Sequence, residues 1–106
     1  MTPTLDDTVK IAGSVLFQQV SGESVLLDID SERYFGLDEV GTRIWQLLTE
    51  HERLADLYAV LLDEYDVEPE RLERDLTKLI AALAARGLLQ VGPPSRVPAT
   101  VRDDRN

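Results

Sequence analysis

The side chains in this sequence with the means to do chemistry are mostly carboxylates. Asp63, Glu64, Asp66, Glu68 and Glu70 crowd one short stretch, and two carboxyls held close together make a general acid and base. The stretch also lies where one helical pattern ends and the next begins. Acids are favoured at helix starts on electrostatic grounds alone, so we read it as a solvated junction. His51 is the single histidine and there is no cysteine. That removes a His pair at metal-ligand spacing, a thiolate nucleophile, thiolate metal sites and a disulfide framework. No glycine-rich loop joins a strand to a helix to cradle phosphate. Ser21-Gly22-Glu23-Ser24 lacks the flanking glycines of a nucleophile elbow. The residues point away from an enzyme and require no metal or cofactor.

Binding is better represented. Arg33-Tyr34-Phe35-Gly36-Leu37 is short and aromatic and ends against a helix cap, the pattern of a last strand. Nothing later in the chain offers it a partner on its free side. An open edge strand is either blunted against pairing, as Arg33 could do, or used to dock another chain. Phe35 and Leu37 should share one face and Tyr34 and Gly36 the other.

The elements that must position this strand follow from periodicity. Ser14–Val20 reads as a first strand, with Val15, Phe17 and Gln19 on one face and Leu16, Gln18 and Val20 on the other. Ser21–Ser24 is a turn of hairpin length. Val25–Asp30 alternates, Val25, Leu27 and Ile29 forming the apolar face and Leu26, Asp28 and Asp30 the more polar one. Asp30-Ser31-Glu32 turns into Arg33–Leu37. Asp38 is an N-cap for a helix to about Glu50, with Val40, Ile44, Leu47 and Leu48 on one face and Gly41 and Trp45 beside it. Leu54–Tyr65 forms a second helix on the stripe Leu54, Leu57, Tyr58, Leu61 and Tyr65. The third spans Glu68–Arg86, with Pro69 in its first turn, the stripe Leu72, Leu76, Leu79, Ile80, Leu83, and Gly87 as its left-handed stop. Leu88, Leu89 and Val91 return to the core.

Residues 1–13 then form a loose arm, 14–91 the domain and 92–106 a disordered tail rich in proline and charge. The fold class is α+β: a three-stranded antiparallel sheet followed by three helices, in the outline of a winged helix-turn-helix. At 106 residues with 43% hydrophobic composition, one modest core is available. No apolar run spans a bilayer and no secretion signal opens the chain, which fits a cytoplasmic protein. The net charge is −9, which repels a phosphate backbone. The winged-helix outline keeps a DNA-binding regulator open as an alternative, but the third helix is acidic in its first turn and balanced overall. A plain interaction or dimerisation module using the same edge is the other.

Leu26-Leu27-Asp28-Ile29-Asp30-Ser31-Glu32-Arg33-Tyr34-Phe35-Gly36-Leu37-Asp38-Glu39-Val40-Gly41-Thr42-Arg43-Ile44-Trp45 resembles the signature of the PqqD-like family, peptide chaperones also described as precursor peptide recognition elements. Leu61–Val67 and Leu83–Leu89 resemble its second half, so the likeness spans about Val15 to Val91. Within the family the chain is most similar to the stand-alone leader-binding proteins of lasso peptide biosynthesis. The resemblance implies a non-catalytic protein that binds the leader of a ribosomally made precursor as a strand added antiparallel to the third strand. A separate leader peptidase and a cyclase would then act on the bound peptide, with this chain a monomer or weak dimer. Carried onto this sequence, Arg33, Tyr34, Phe35, Gly36 and Leu37 supply the backbone ladder. Leu72, Leu76 and Leu79 line the groove from the third helix, and Asp75 and Lys78 stand at its rim. Glu32 departs from the family, where glycine is common, and implies an altered turn.

Overall fold

The computed structural model describes residues 3–93; beyond Pro93 the expected tail lies outside the described residues. The chain runs β1 (Thr8–Ile11), β2 (Val15–Val20), β3 (Glu23–Asp28), β4 (Arg33–Leu37), α1 (Glu39–Leu48), α2 (Leu54–Glu64), α3 (Pro69–Ala85) and β5 (Leu89–Gly92). The expected α+β arrangement is present: β2, β3 and β4 form an antiparallel sheet in that order, followed by three helices.

The turns set the register. Ser21 and Gly22 both take positive φ, 51° and 87°, the signature of a two-residue type I′ hairpin turn whose twist matches the strands. The turn is therefore shorter than Ser21–Ser24, and Glu23 and Ser24 already belong to β3. The second turn ends on Glu32 at φ 59°, with its amide donating to Asp28 O at 2.7 Å. Glutamate thus sits in the left-handed geometry that glycine adopts without strain.

That register reverses the expected faces of β3. Val25, Leu27 and Ile29 were predicted to cover the core, but Val25 is 36% and Ile29 50% exposed while Leu26 is fully buried. Leu26 stands opposite Phe35 and Ser24 opposite Leu37, so the parity of β3 is tied to the face of β4 that α1 covers. In a strand with leucines on both faces, a one-residue difference in where the strand begins exchanges the two.

Helix α1 is held against this sheet at two points. Asp38 caps it, Oδ1 accepting from the Gly41 amide at 2.8 Å. A Cβ at Gly41 would lie 3.2 Å from Leu37 Cδ2, so glycine lets the helix start close to β4. One turn on, the buried hydroxyls of Ser24 and Thr42 meet at 2.7 Å, fixing β3 to α1 and satisfying both groups. Ile44, Trp45, Leu47 and Leu48 enter the core. Trp45 is therefore a core residue rather than a flanking one, whereas Val40, expected inside, is exposed.

Leu54, Leu57 and Leu61 of α2 and Leu76, Ile80 and Leu83 of α3 are fully buried against one another and the sheet. Helix α3 begins with Pro69 in its first turn, where the missing amide has no intrahelical partner to lose. It stops as predicted at Gly87, φ 75°. The Gly87 amide reaches Ala84 O and the Leu88 amide reaches Leu83 O, each at 3.0 Å, the paired bonds of a Schellman motif.

The stop directs the chain into β5, which pairs with β1 from Thr8↔Gly92 to Ile11↔Leu89. Val9 is buried and its amide donates to Glu52 O at 2.7 Å. Residues 8–11 are thus a strand and not part of a loose arm. Gly92 likewise closes a strand rather than opening the tail. Four alternating residues are too short a run to separate from an arm by pattern alone. No helix among the described residues is long and apolar enough to cross a membrane.

Candidate functional site

Strand β4 is an edge: β3 covers one side, and no strand among the described residues covers the other. The register identifies which backbone groups are left over. A two-residue turn closes on a hydrogen-bonded pair, here Val20↔Glu23, and bonded pairs alternate along an antiparallel ladder. Glu23, Val25 and Leu27 thus direct their backbone groups to β2, and Ser24, Leu26 and Asp28 direct theirs to β4. Their partners Leu37, Phe35 and Arg33 are committed inward. Tyr34 and Gly36 turn an N–H and a C=O each to the open edge.

Beside that edge lies a groove floored by β4 and walled by α3 and the start of α1. One section, about 590 Å³, is lined by Phe35, Leu37, Val40, Ile44, Asp75 and Leu79 among others. The section at the other end of β4, about 410 Å³, is lined by Asp28, Arg33, Phe35, Ala85 and Arg86 among others. Phe35 lines both, and α3 runs antiparallel to β4 along them, Asp75 and Leu79 standing at the Leu37 end and Ala85 and Arg86 at the Arg33 end. The Arg86 guanidinium carbon sits 4.9 Å from the centre of the Phe35 ring, a cation–π contact at the groove end.

The residues predicted from α3 divide. Leu79 and Asp75 line the groove. Leu76 is fully buried and Leu72 only 7% exposed, so both are core. Lys78 is exposed but lines neither section. Sequence reasoning missed Val40, Ala85 and Arg86. The signal for the last was present: Asp75, Leu79, Ala82 and Arg86 fall at i, i+4, i+7 and i+11, a second helical stripe beside the core stripe Leu72, Leu76, Ile80, Leu83.

The sheet's outer face, opposite the helices, is also apolar. Leu16, Leu27 and Tyr34 stand in cross-strand line, with Val25 beside them. Leu16 is 54% and Tyr34 69% exposed, an unusual concentration of apolar surface on one face of a small domain.

Electrostatically, α3 pairs Arg71 with Asp75 at 3.8 Å across an exposed turn. Arg43 of α1 grips Glu64 of α2 with two hydrogen bonds, Nε to Oε1 at 2.9 Å. The guanidinium hydrogen bond holds Glu64 below the usual glutamate range and raises Arg43 in turn. This pair lies outside the groove and braces the two helices.

Known proteins share this fold. No curated protein matches the chain. Among solved structures, it is similar to that described as "TbiB1 in Complex with the TbiA(beta) Leader Peptide", with 41% identity over 76% of this chain and 94% of that one and a TM-score of 0.72. It is also similar to "Lasso peptide synthetase B1 complexed with the leader peptide", with 29% identity over 78% of this chain and 98% of that one and a TM-score of 0.70. Residues 23–89, from the start of β3 to the start of β5, match the family model for Coenzyme PQQ synthesis protein D, and the chain belongs to the PqqD family.

Proposed function

We propose that this protein binds the leader segment of a ribosomally made precursor, a lasso peptide precursor by its likeness to the B1 proteins, as an antiparallel strand added to β4. The observation that carries the reading is the open edge itself, with the backbone groups of Tyr34 and Gly36 unpaired beside an apolar groove. Main-chain bonds to the edge supply affinity, and pockets for alternate side chains supply selection. Leader side chains opposite Arg33, Phe35 and Leu37 point into the groove, and those opposite Tyr34 and Gly36 join the outer face.

That division supports a role in presentation. The bound leader extends an outer face that is already apolar through Leu16, Val25, Leu27 and Tyr34. A separate peptidase and a cyclase would then act on a precursor held by this chain, which contributes binding rather than catalysis. We infer that it acts in the cytoplasm, where a ribosomally made precursor is synthesised.

The test is titration with lasso leader peptides, the TbiA(beta) leader first, followed by calorimetry and amide shifts. Saturable binding with shifts concentrated on Arg33–Leu37 and on Asp75, Leu79 and Arg86 is the expected result. Saturation with shifts confined to β1, β5 or the segment after Pro93 would refute strand addition at β4. Absence of binding to every leader would refute the function.

A further inference from the structure

We propose that Arg33 and Arg86 form a carboxylate-binding subsite that fixes the register of the bound leader. The accepted segment reads apolar-x-apolar-x-acidic, with an Asp or Glu at the last position. The inference rests on strand addition at β4 and specifies which strands are accepted.

Two arginines converge on the end section of the groove in a chain of net charge −9. Among the described residues, the ion pairs are Arg43–Glu64 and Arg71–Asp75, so neither groove arginine is engaged by a carboxylate. The one acid lining the recess, Asp28, stands across from Arg33 with its oxygens held by the turn, so a single negative charge is set against two positive ones. Its Oδ1 accepts from Ser14 Oγ at 3.4 Å and from the Asp30 amide at 3.2 Å, and its Oδ2 from Ser31 Oγ at 2.9 Å. Arg86 has one guanidinium face against Phe35. A stacked guanidinium keeps the N–H donors around its rim, the geometry that receives a carboxylate. Of the terminal carbonyls of α3, Leu83 O and Ala84 O are turned to the amides of Arg86, Gly87 and Leu88.

The position follows from the ladder. An antiparallel strand runs from Leu37 toward Arg33, and its groove-facing residues stand opposite Leu37, Phe35 and Arg33 in that order. The first meets Leu37, Val40 and Ile44, the second meets Phe35 and Leu79, and the third meets the two arginines. Apolar contacts alone define register poorly, because a slip of two residues, roughly 7 Å, presents another pair of alternate side chains to the same surface. A carboxylate ends that ambiguity. Slipped or reversed, it lies over apolar surface or beside Asp75 at the opposite end, which penalises the wrong register.

The experiment uses the full chain and a leader that saturates in the titration above, varied on the peptide side so that the protein is untouched. Glutamate is moved through consecutive positions after the apolar pair, each variant matched with its glutamine counterpart. We expect a Glu-over-Gln preference of about tenfold at one position only, two residues after the second apolar residue, in line with a charge-assisted hydrogen bond. That preference, read as the ratio of Glu to Gln affinities within each variant, should fall to near unity in R33Q and R86Q. Lysine at the same position should recover binding to R86E. Equal affinities for Glu and Gln at every position, with binding intact, would overturn the subsite and leave strand addition standing. A preference that survives both arginine variants would also overturn it. No binding by any peptide would remove strand addition and the subsite together.

Discussion

Proline at position 34 separates the edge from the fold. The Tyr34 amide faces open solvent by the register of the ladder, and the residue is 69% exposed, so Tyr34→Pro removes no bond from the sheet. The folded state should lose less than about 1 kcal/mol, because proline is tolerated on the solvent side of an edge strand. Binding should suffer more. The edge offers a leader an N–H and a C=O at each of Tyr34 and Gly36, and the substitution deletes the first N–H. One net amide hydrogen bond is worth about 1 kcal/mol, and leaving the leader's carbonyl without a donor adds to that. A loss of roughly 1–2 kcal/mol is about a 5- to 30-fold rise in Kd. Phe35→Pro is the control: its amide belongs to the β3–β4 ladder and its ring carries Arg86, so it should melt far below the parent. Calorimetry and thermal denaturation on both variants decide the matter. A folded Tyr34→Pro protein with parental Kd, or a Phe35→Pro protein as stable as the parent, would refute the assignment of outward-facing groups.

Three other outcomes follow from the fold. Thr42→Val should cost about 1–3 kcal/mol by stranding the buried Ser24 hydroxyl; Ser24→Ala on top of it should recover most of that in chemical denaturation, and strictly additive losses would refute the coupling. Glu32→Gly should raise stability by about 0.5–1 kcal/mol, because relief of the left-handed strain exceeds the entropy added to the unfolded chain; a lower melting midpoint than the parent would contradict it. Glu64→Gln should lower the denaturation midpoint at neutral pH. Because Arg43 depresses the folded carboxyl, the contribution is present above the ordinary glutamate range and is lost as pH falls through the folded value. The two proteins should therefore converge in acid, and a difference that grows on acidification would refute the sign.

Much of this was legible where residues carry a single structural meaning. Asp38 before an apolar helix, Pro69 at a first turn and Gly87 after a last one mark boundaries that the structure keeps, and Arg33–Leu37 was readable as an edge because nothing after it alternates in the right length. What escaped was parity. In Val25-Leu26-Leu27-Asp28-Ile29 both faces carry leucine, so composition favours the Val25 face. The two-residue turn at Ser21-Gly22 and the pairing of Leu26 with Phe35 decide for the other. The division of α3 escaped for a similar reason. Leu72, Leu76 and Leu79 are one residue type on adjoining stripes, and only the position of β4 separates the two that are buried from the one that reaches the groove.

The misread parity bears on function. A domain that buries Leu26 and leaves Leu16, Val25 and Tyr34 exposed and Leu27 half-buried forgoes full burial of its more hydrophobic strand face, which at ~25 cal/mol per Å² is a real cost to the isolated chain. The composition of β3 gives no reason for that choice, since a slip of one residue would invert it. The constraint comes from the neighbours. Ser24 must face Thr42, and Phe35 must face α3 if its ring is to floor a groove and support Arg86. The opposite alternation would turn Phe35 and the buried Leu37 outward, remove the floor of the groove and leave the edge of β4 with main-chain groups but no pockets. The exposed apolar face is therefore the counterpart of a groove able to distinguish one extended peptide from another. Strand addition at β4, as proposed above, would set the leader's outward side chains beside that face.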